Sequence, residues 1–298
     1  MAGKPFIVIY FLIVLLAGIF TYPVERFKFS PADIIDLTYP FNAQTVSFFQ
    51  QSDFQLTIDE KIGKTGDVVM RQGHFQAHEH VGTHLDSPAH FSRNGSDMAD
   101  LSTDQLIGPA VVINVTAQVR ANPDYGVSVA DINQFEATYG RIPAGAFVCM
   151  YSEWGQRWPD RQRMYSADNN EPYRSFRGLH FPGFEPAATR FLIMERQIRG
   201  IIVDSPSLDP APEATRQPVS SSWGTHVLIA GHGKIGIEYA AHLDEMPPVG
   251  GKSDTCAYEE QGRIGCTGTD FWDSPGSRWL GYLIFIYENS DSAQLKRQ

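Results

Sequence analysis

Five of the nine histidines in this 298-residue chain, His74, His78, His80, His84 and His90, fall within seventeen residues, and Glu79 and Asp86 sit among them. Neutral imidazole and carboxylate are the ligand types that suit zinc and manganese. His84 and Asp86 are two apart, so an extended backbone points both side chains to one side. Gly82 and Thr83 permit a tight turn that returns His80 toward them. His80, His84 and Asp86 are therefore a candidate facial trio, and three protein ligands with open positions is the catalytic rather than the structural pattern. Pro88 redirects the chain beyond the trio and sets His90 beside the ion rather than on it. A histidine in that place suits general-base work near neutral pH. The competing reading is a surface strand that carries several histidines by chance; the close spacing and the Gly and Pro punctuation favour the metal. His74 and His78 receive no role.

Such a cluster needs a rigid frame. The runs AVVINV (110–115), AFVCMY (146–151) and GIIVD (200–204) are short, β-rich and bounded by Gly, Pro or charge, which predicts buried strands. Ser128 is a good N-cap for a helix over 128–139 that places Val129, Ile132, Phe135 and Tyr139 at helical spacing. A second helix is predicted over 185–198, with Pro186 in its first turn and Gly200 just past its end. Strand–helix–strand order predicts an α/β domain. Residues 31–60 give short apolar stretches broken by Pro31, Pro40 and Asn42. Residues 152–184 form a long polar and aromatic stretch without a clear period, the kind of loop that carries function.

Composition bounds the rest. The chain is 42% hydrophobic, 12% aromatic and 19% charged, enough for a sizeable core that disulfides need not hold. A net charge of −10 without long blocks of one sign argues against nucleic acid or an anionic membrane surface as main partner. Lys4 followed by FIVIYFLIVLLAGIF (Phe6 to Phe20) and then Thr21 and Pro23 has the layout of a secretory signal peptide over residues 1–20, leaving 21–298 as the mature domain. A spanning helix needs about 20 apolar residues, so an uncleaved signal anchor is the alternative. Secretion makes disulfides possible: Cys256 and Cys266 either pair or, like Cys149 in its apolar run, stay free. Two glycosylation sequons are present. Asn94-Gly95-Ser96 has the character of a surface turn able to carry sugar, whereas Asn114-Val115-Thr116 lies inside a predicted buried strand.

The segment HEHVGTHLDSPAHF (78–91) resembles the signature H-x-G-T-H-x-D-x-P-x-H-F of the cyclase-like metal hydrolases, which include bacterial kynurenine formamidases and isatin hydrolases. His80, Gly82, Thr83, His84, Asp86, Pro88, His90 and Phe91 fill every fixed position. LIGPAVVINV (106–115) and the stretch 180–210 are similar to the family's following strand and helix–strand–loop, and the resemblance covers about residues 31–248. It implies a single α/β domain of the swivelling β/β/α type, usually a homo-oligomer. It also implies that His80, His84 and Asp86 hold a first metal and that Asp86, His226 and Glu238 hold a second in the two-zinc members. A single manganese is typical of the isatin hydrolases. His90 would be the general base. The implied reaction is water attack on a small amide, aryl in character. Arylformamidase chemistry on N-formyl-L-kynurenine is expected first, with a cyclic amidase or an inactive secreted metal-binding homologue as alternatives. Trp154 and its aromatic neighbours would either stack on an aryl substrate or form an internal core. After Val249 the hydrophilic run GKSDTCAYEEQGRIGCTGTDFWDSPGSRW departs from the family's final strand and Gly-rich turn, which makes 250–298 atypical.

Overall fold

The computed structural model describes residues 34–48, 54–166, 178–211, 223–255 and 283–287, the backbone alone for 251–255 and 283–287. The signal segment, Cys256 and Cys266 lie outside the described residues. The strands are β1 (Ile34–Asp36), β2 (Gln55–Ile62), β3 (Val68–Gln76), β4 (His84–Asp86), β5 (Ile107–Asn114), β6 (Gly126–Val127), β7 (Phe147–Tyr151), β8 (Gly183–Phe184), β9 (Gly200–Val203), β10 (Ile235–Glu238), β11 (Gly251–Thr255) and β12 (Leu283–Tyr287). The α-helices are α1 (Thr103–Leu106), α2 (Thr116–Ala121), α3 (Val129–Tyr139), α4 (Arg161–Tyr165), α5 (Pro186–Arg196) and α6 (Gly224–Gly231).

The three apolar runs become adjacent parallel strands. One eight-stranded sheet has the order β1-β12-β11-β5-β7-β9-β10-β4, with β5, β7, β9 and β10 parallel at its centre. Their sequences are continuously apolar because both faces of the sheet are covered. Val111, Ile113, Val148, Met150, Ile201 and Val203 face one core layer, which α3 and α5 cover with Ile132, Phe135 and Leu192. The alternate residues Ala110, Val112, Phe147, Cys149 and Ile202 face a second layer with Leu37, Ile235 and Ile237. Burying one such large aliphatic side chain contributes roughly 1.5–3 kcal/mol. The architecture is the α/β class expected from the order of elements.

Local chemistry sets the helix ends. The Ser128 side chain accepts from the Asp131 N–H, and Asp131 in turn accepts from the Ser128 N–H at 2.8 Å, a reciprocal capping box. Arg196 on α5 reaches Glu136 on α3 with two short bonds, 2.6 and 2.8 Å, locking the helix pair. Two expectations need correction. Helix α5 stops at Arg196 with Gln197 in the left-handed region (φ 53°), so Gly200 is not its cap. Gly200 opens β9 instead, and a Cβ there would lie 2.5 Å from the Ile235 carbonyl oxygen, so its role is close strand packing. Asn114 is also not buried: it ends β5 exposed, with its side chain accepting from the Thr116 N–H at 3.0 Å.

The hydrophilic run after Val249 begins with a strand. β11 pairs antiparallel with β5 and with β12, on the side of the sheet away from β4. The described part of the 152–184 stretch is partly structured, with a 3-10 turn at Trp154–Arg157, then α4 and β8. Cys149 is a buried free thiol, as its apolar run predicts. Among the described residues no helix is long and apolar enough to cross a membrane.

Candidate active site

The site lies at the edge of the sheet, where β4 pairs antiparallel with β10. In that register Glu238 stands opposite His84, and Gly236 opposite Asp86. The extended backbone of β4 puts His84 and Asp86 on one side. Gly82 supplies the turn before it with φ +61°, a conformation that disfavours other residues. Thr83 fixes the strand in place: its hydroxyl donates to the Tyr239 carbonyl at 2.7 Å and accepts from the Tyr39 N–H at 3.0 Å. Pro88 starts a 3-10 turn, Pro88–His90, that swings His90 back over the cluster. His226 arrives from α6, one turn of chain beyond Trp223.

The structure brings all six residues named from the sequence together. His80 Nδ1 lies 3.0 Å from His84 Nε2 and 3.1 Å from Asp86 Oδ1. His84 Nε2 is 3.4 Å from the same Asp86 oxygen and 3.5 Å from Glu238 Oε2. On the other side, His226 Nε2 is 3.5 Å from Asp86 Oδ2 and 3.0 Å from Glu238 Oε1. Asp86 thus faces His80 and His84 with one oxygen and His226 with the other. The His90 ring centroid is 4.2 Å from that of His80, and its edge is open to solvent. Donor atoms of His80, His84 and Asp86 form one compact group, and those of Asp86, His90 and His226 form another.

These residues fit a divalent cation. Both Asp86 carboxylate oxygens are buried, yet neither has a well-directed hydrogen bond, although imidazole nitrogens crowd around them. A buried carboxylate whose oxygens lack well-directed donors is costly unless a cation balances it. The electrostatics say the same. Burial pushes His84 down, but the close approach and charge of Asp86 and the charge of Glu238 overcome it and raise its pKa to about 9. His226 is likewise raised, against its burial, by Asp209, Asp86 and Glu238. Asp86, which burial alone would raise, is held well below the carboxylate range by His226, His80 and His84. The surrounding carboxylates thus favour positive charge at His84 and His226, the places where a cation would bind. His90 moves the other way: desolvation at the site mouth and the nearby imidazoles of His80, His226 and His84 lower it to about 4, against the charge of Asp86. It is a neutral acceptor at pH 7.

Asp209 is a residue the sequence reading passed over. It is fully buried, and its carboxylate takes the Thr225 N–H at 2.7 Å, the His226 N–H at 3.1 Å and His226 Nδ1 at 2.6 Å. An ionised carboxylate only accepts, so Nδ1 carries the proton and Nε2 turns inward as a ligand. The available signal was slight: Asp209, before Pro210, is the second of two acids, with Asp204, in the loop that follows β9. Asp209→Asn is expected to weaken divalent-metal affinity by roughly 10–100-fold, read by chelator competition. The asparagine oxygen can still accept from the backbone, but its amide cannot accept from Nδ1. Unchanged affinity with a lowered melting temperature would reduce Asp209 to a helix cap.

Trp154 is not offered to a ligand. It is fully buried, its Nε1 donates to the Met164 carbonyl at 2.7 Å, and Arg157 covers its ring at 3.4 Å. The aromatic side chains beside the site are others. Phe91 lies 4.8 Å from the His226 ring, Trp223 lies 5.2 Å from it, and Phe48 packs on Trp223 at 5.7 Å. All three are partly exposed. Both sequon asparagines, Asn94 and Asn114, are exposed.

Known proteins share both the sequence and the fold. Over 177 residues the chain is 30% identical to an isatin hydrolase of Roseibium aggregatum, covering 58% of this chain and 63% of that protein. Over 82 residues it is 29% identical to a kynurenine formamidase of Bacillus thuringiensis subsp. konkukian, covering 28% of this chain and 38% of that one. The matches thus span less than two thirds of either relative's length. Among solved structures, isatin hydrolase A from Labrenzia aggregata bound to benzyl benzoate matches with a TM-score of 0.68 at 24% identity, over 93% of this chain and 99% of that one. Isatin hydrolase A from Ralstonia solanacearum matches with the same TM-score and identity over 97% of this chain and all of its own. These structural likenesses establish the shared fold. A family model described as "Putative cyclase" matches residues 35–210, more than half of the sequence, and the chain belongs to that family.

Proposed function

We propose that this chain is a divalent-metal-dependent hydrolase of small aryl amides. The observation that carries the reading is the buried Asp86 carboxylate, without a directed hydrogen bond and ringed by His80, His84 and His226, with a neutral His90 at its rim. His80, His84, Asp86, His226 and Glu238 would hold one or two ions of zinc or manganese, and in that position a cation polarises a carbonyl and acidifies water. The remaining work belongs to the chain. His90 takes a proton from the attacking water as its oxygen bonds to the carbonyl carbon. The C–N bond then breaks, and the same imidazole returns the proton to the leaving nitrogen. Phe91 and Trp223 flank the rings of His90 and His226 and supply apolar faces for a flat aryl group.

The sequence reading takes N-formyl-L-kynurenine first, with a cyclic amide close behind, because the metal motif is common to both chemistries. The longer match is to an isatin hydrolase, which favours a cyclic aryl amide, with water opening the lactam to an amino acid. The test is turnover of isatin and N-formylkynurenine side by side by the metal-loaded chain. Chelator-sensitive opening of isatin, faster than deformylation, is expected. A chain that holds stoichiometric metal and turns over neither would be a binding protein, and the hydrolase reading would fall.

A further inference from the structure

His90 hangs on a short support. It is the last residue of the 3-10 turn Pro88–His90, whose own bond runs from the His90 N–H to the Ser87 carbonyl at 3.0 Å. So short a 3-10 turn has little rigidity of its own. On one side Phe91, the next residue, packs on the rings of His226 at 4.8 Å and Trp223 at 5.8 Å. On the other side the chain folds back over the turn. Ser92 donates its N–H to the Pro88 carbonyl at 3.0 Å, and Gly95 donates to the Ser92 carbonyl at 2.9 Å. The second bond closes a β-turn over 92–95 with Ser first and Gly fourth, places that favour those residues. The chain then returns so that the Ser96 carbonyl accepts the Ala89 N–H at 3.1 Å. Gly95 thereby lies flat on the peptide between Pro88 and Ala89. A Cβ at Gly95 would stand 2.3 Å from the Pro88 carbonyl carbon, 2.4 Å from its oxygen and 2.6 Å from the Ala89 nitrogen. All three are backbone atoms, so no side-chain rotation relieves the overlap. Carbon atoms in contact sit about 3.5–4.0 Å apart, so any side chain here drives the Pro88–Ala89 peptide away by on the order of 1 Å.

We propose that Gly95 is a positioning residue for His90: by seating the Pro88–Ala89 peptide it sets where the His90 imidazole stands over the metal group. The link is short. The peptide that Gly95 touches ends at the residue before His90, so a shift there passes straight into the His90 backbone. The His90 ring stands 4.2 Å from that of His80 and 5.9 Å from that of His226, so a shift of that order changes its place in the cluster. The ligands are anchored separately, His84 and Asp86 by the pairing of β4 with β10 and His226 by Asp209. A change at Gly95 therefore moves the base and leaves the metal group. Misplacing a reacting group by about 1 Å can cost about 10²-fold in rate. That effect on rate rests on the hydrolase reading above, whereas the placement of His90 does not.

Gly95→Ala in the full chain tests it. Metal content and circular dichroism are expected to match the wild type, while kcat for isatin or N-formylkynurenine falls about 10–100-fold with KM within about twofold. A double-mutant cycle separates positioning from general damage: in the His90→Ala background, Gly95→Ala should cost nothing further. Arg93→Ala, exposed in the same turn, should behave as the wild type. The His90 ring resonance of the metal-free chain, identified by its loss in His90→Ala, is a readout free of turnover. It should shift in Gly95→Ala while that of the exposed His232 stays. Should Gly95→Ala fail to fold, an ester in place of the Ala89 amide removes the bond to Ser96 without adding an atom. It should lower kcat roughly threefold to tenfold and shift the same resonance. Wild-type turnover in Gly95→Ala, an undiminished cost in the His90→Ala background, or an unmoved His90 resonance would each overturn the proposal. If the wild type turns over neither amide, the hydrolase reading falls and the resonance alone decides the positioning.

Discussion

His90→Ala is expected to keep the metal content of the wild type and to lose about 10²–10⁴-fold in amide hydrolysis, the usual cost of removing a general acid–base group. The geometry makes this a demanding test. His90 sits in a 3-10 turn at the rim, its ring 4.2 Å from that of His80 and 5.9 Å from that of His226. Its nitrogen is also close enough to Asp86 and His226 to join a metal group. Two features set it apart from the ligands. It is open to solvent where Asp86 and His226 are buried, and its pKa is lowered to about 4 where theirs are tuned to one another's charge. A neutral imidazole at the rim can take a proton from water and pass it on. Metal analysis and turnover on the same preparation decide the matter. If His90→Ala strips the metal as fully as His80→Ala, then His90 is a ligand. If it keeps full activity, the base is elsewhere.

The second large effect is on stability. A ligand that binds only the folded chain stabilises it by mass action, about 2.7 kcal/mol at a hundred times its dissociation constant. For a chain of this size that is a rise in melting temperature on the order of 5–10 °C. Adding zinc or manganese to the metal-free wild type should produce it, and a chelator should reverse it. Asp86→Ala should abolish the response, because Asp86 faces His80 and His84 with one oxygen and His226 with the other. Removing it also takes from His84 and His226 the carboxylate that holds their pKa values up, so the metal-free variant should melt lower than the metal-free wild type, and the diagnostic is the missing response to metal. A variant that still responds fully to metal would place the binding site elsewhere.

Much of this was legible in the sequence, for physical reasons that differ by residue. The central strands are buried on both faces, so their sequences are continuous apolar runs that declare themselves. The helix at 129–139 was marked by a Ser128 cap and a spaced apolar stripe. His80, His84 and Asp86 lie within seven residues, so spacing and one glycine turn were enough to bring them together. His226 and Glu238 come from far along the chain, and only the antiparallel pairing of β4 with β10 sets Glu238 opposite His84. No local pattern encodes that register; the resemblance of the motif supplied it. Asp209 was missed because a carboxylate that aims a histidine has no spacing rule. For Trp154 the sequence left two places open, against a substrate or in the core, because an aromatic residue in a polar stretch can turn inward when its N–H finds a buried carbonyl, as this one does.

The central claim is that His80, His84 and Asp86, with His226 and Glu238, hold a divalent cation. Metal analysis of the purified chain after dialysis against zinc or manganese tests it most directly, with His84→Ala/Asp86→Ala measured alongside. The account predicts about one to two equivalents in the wild type and none in the double variant. Stoichiometric metal that persists in the double variant, or a wild type that holds none, would contradict it.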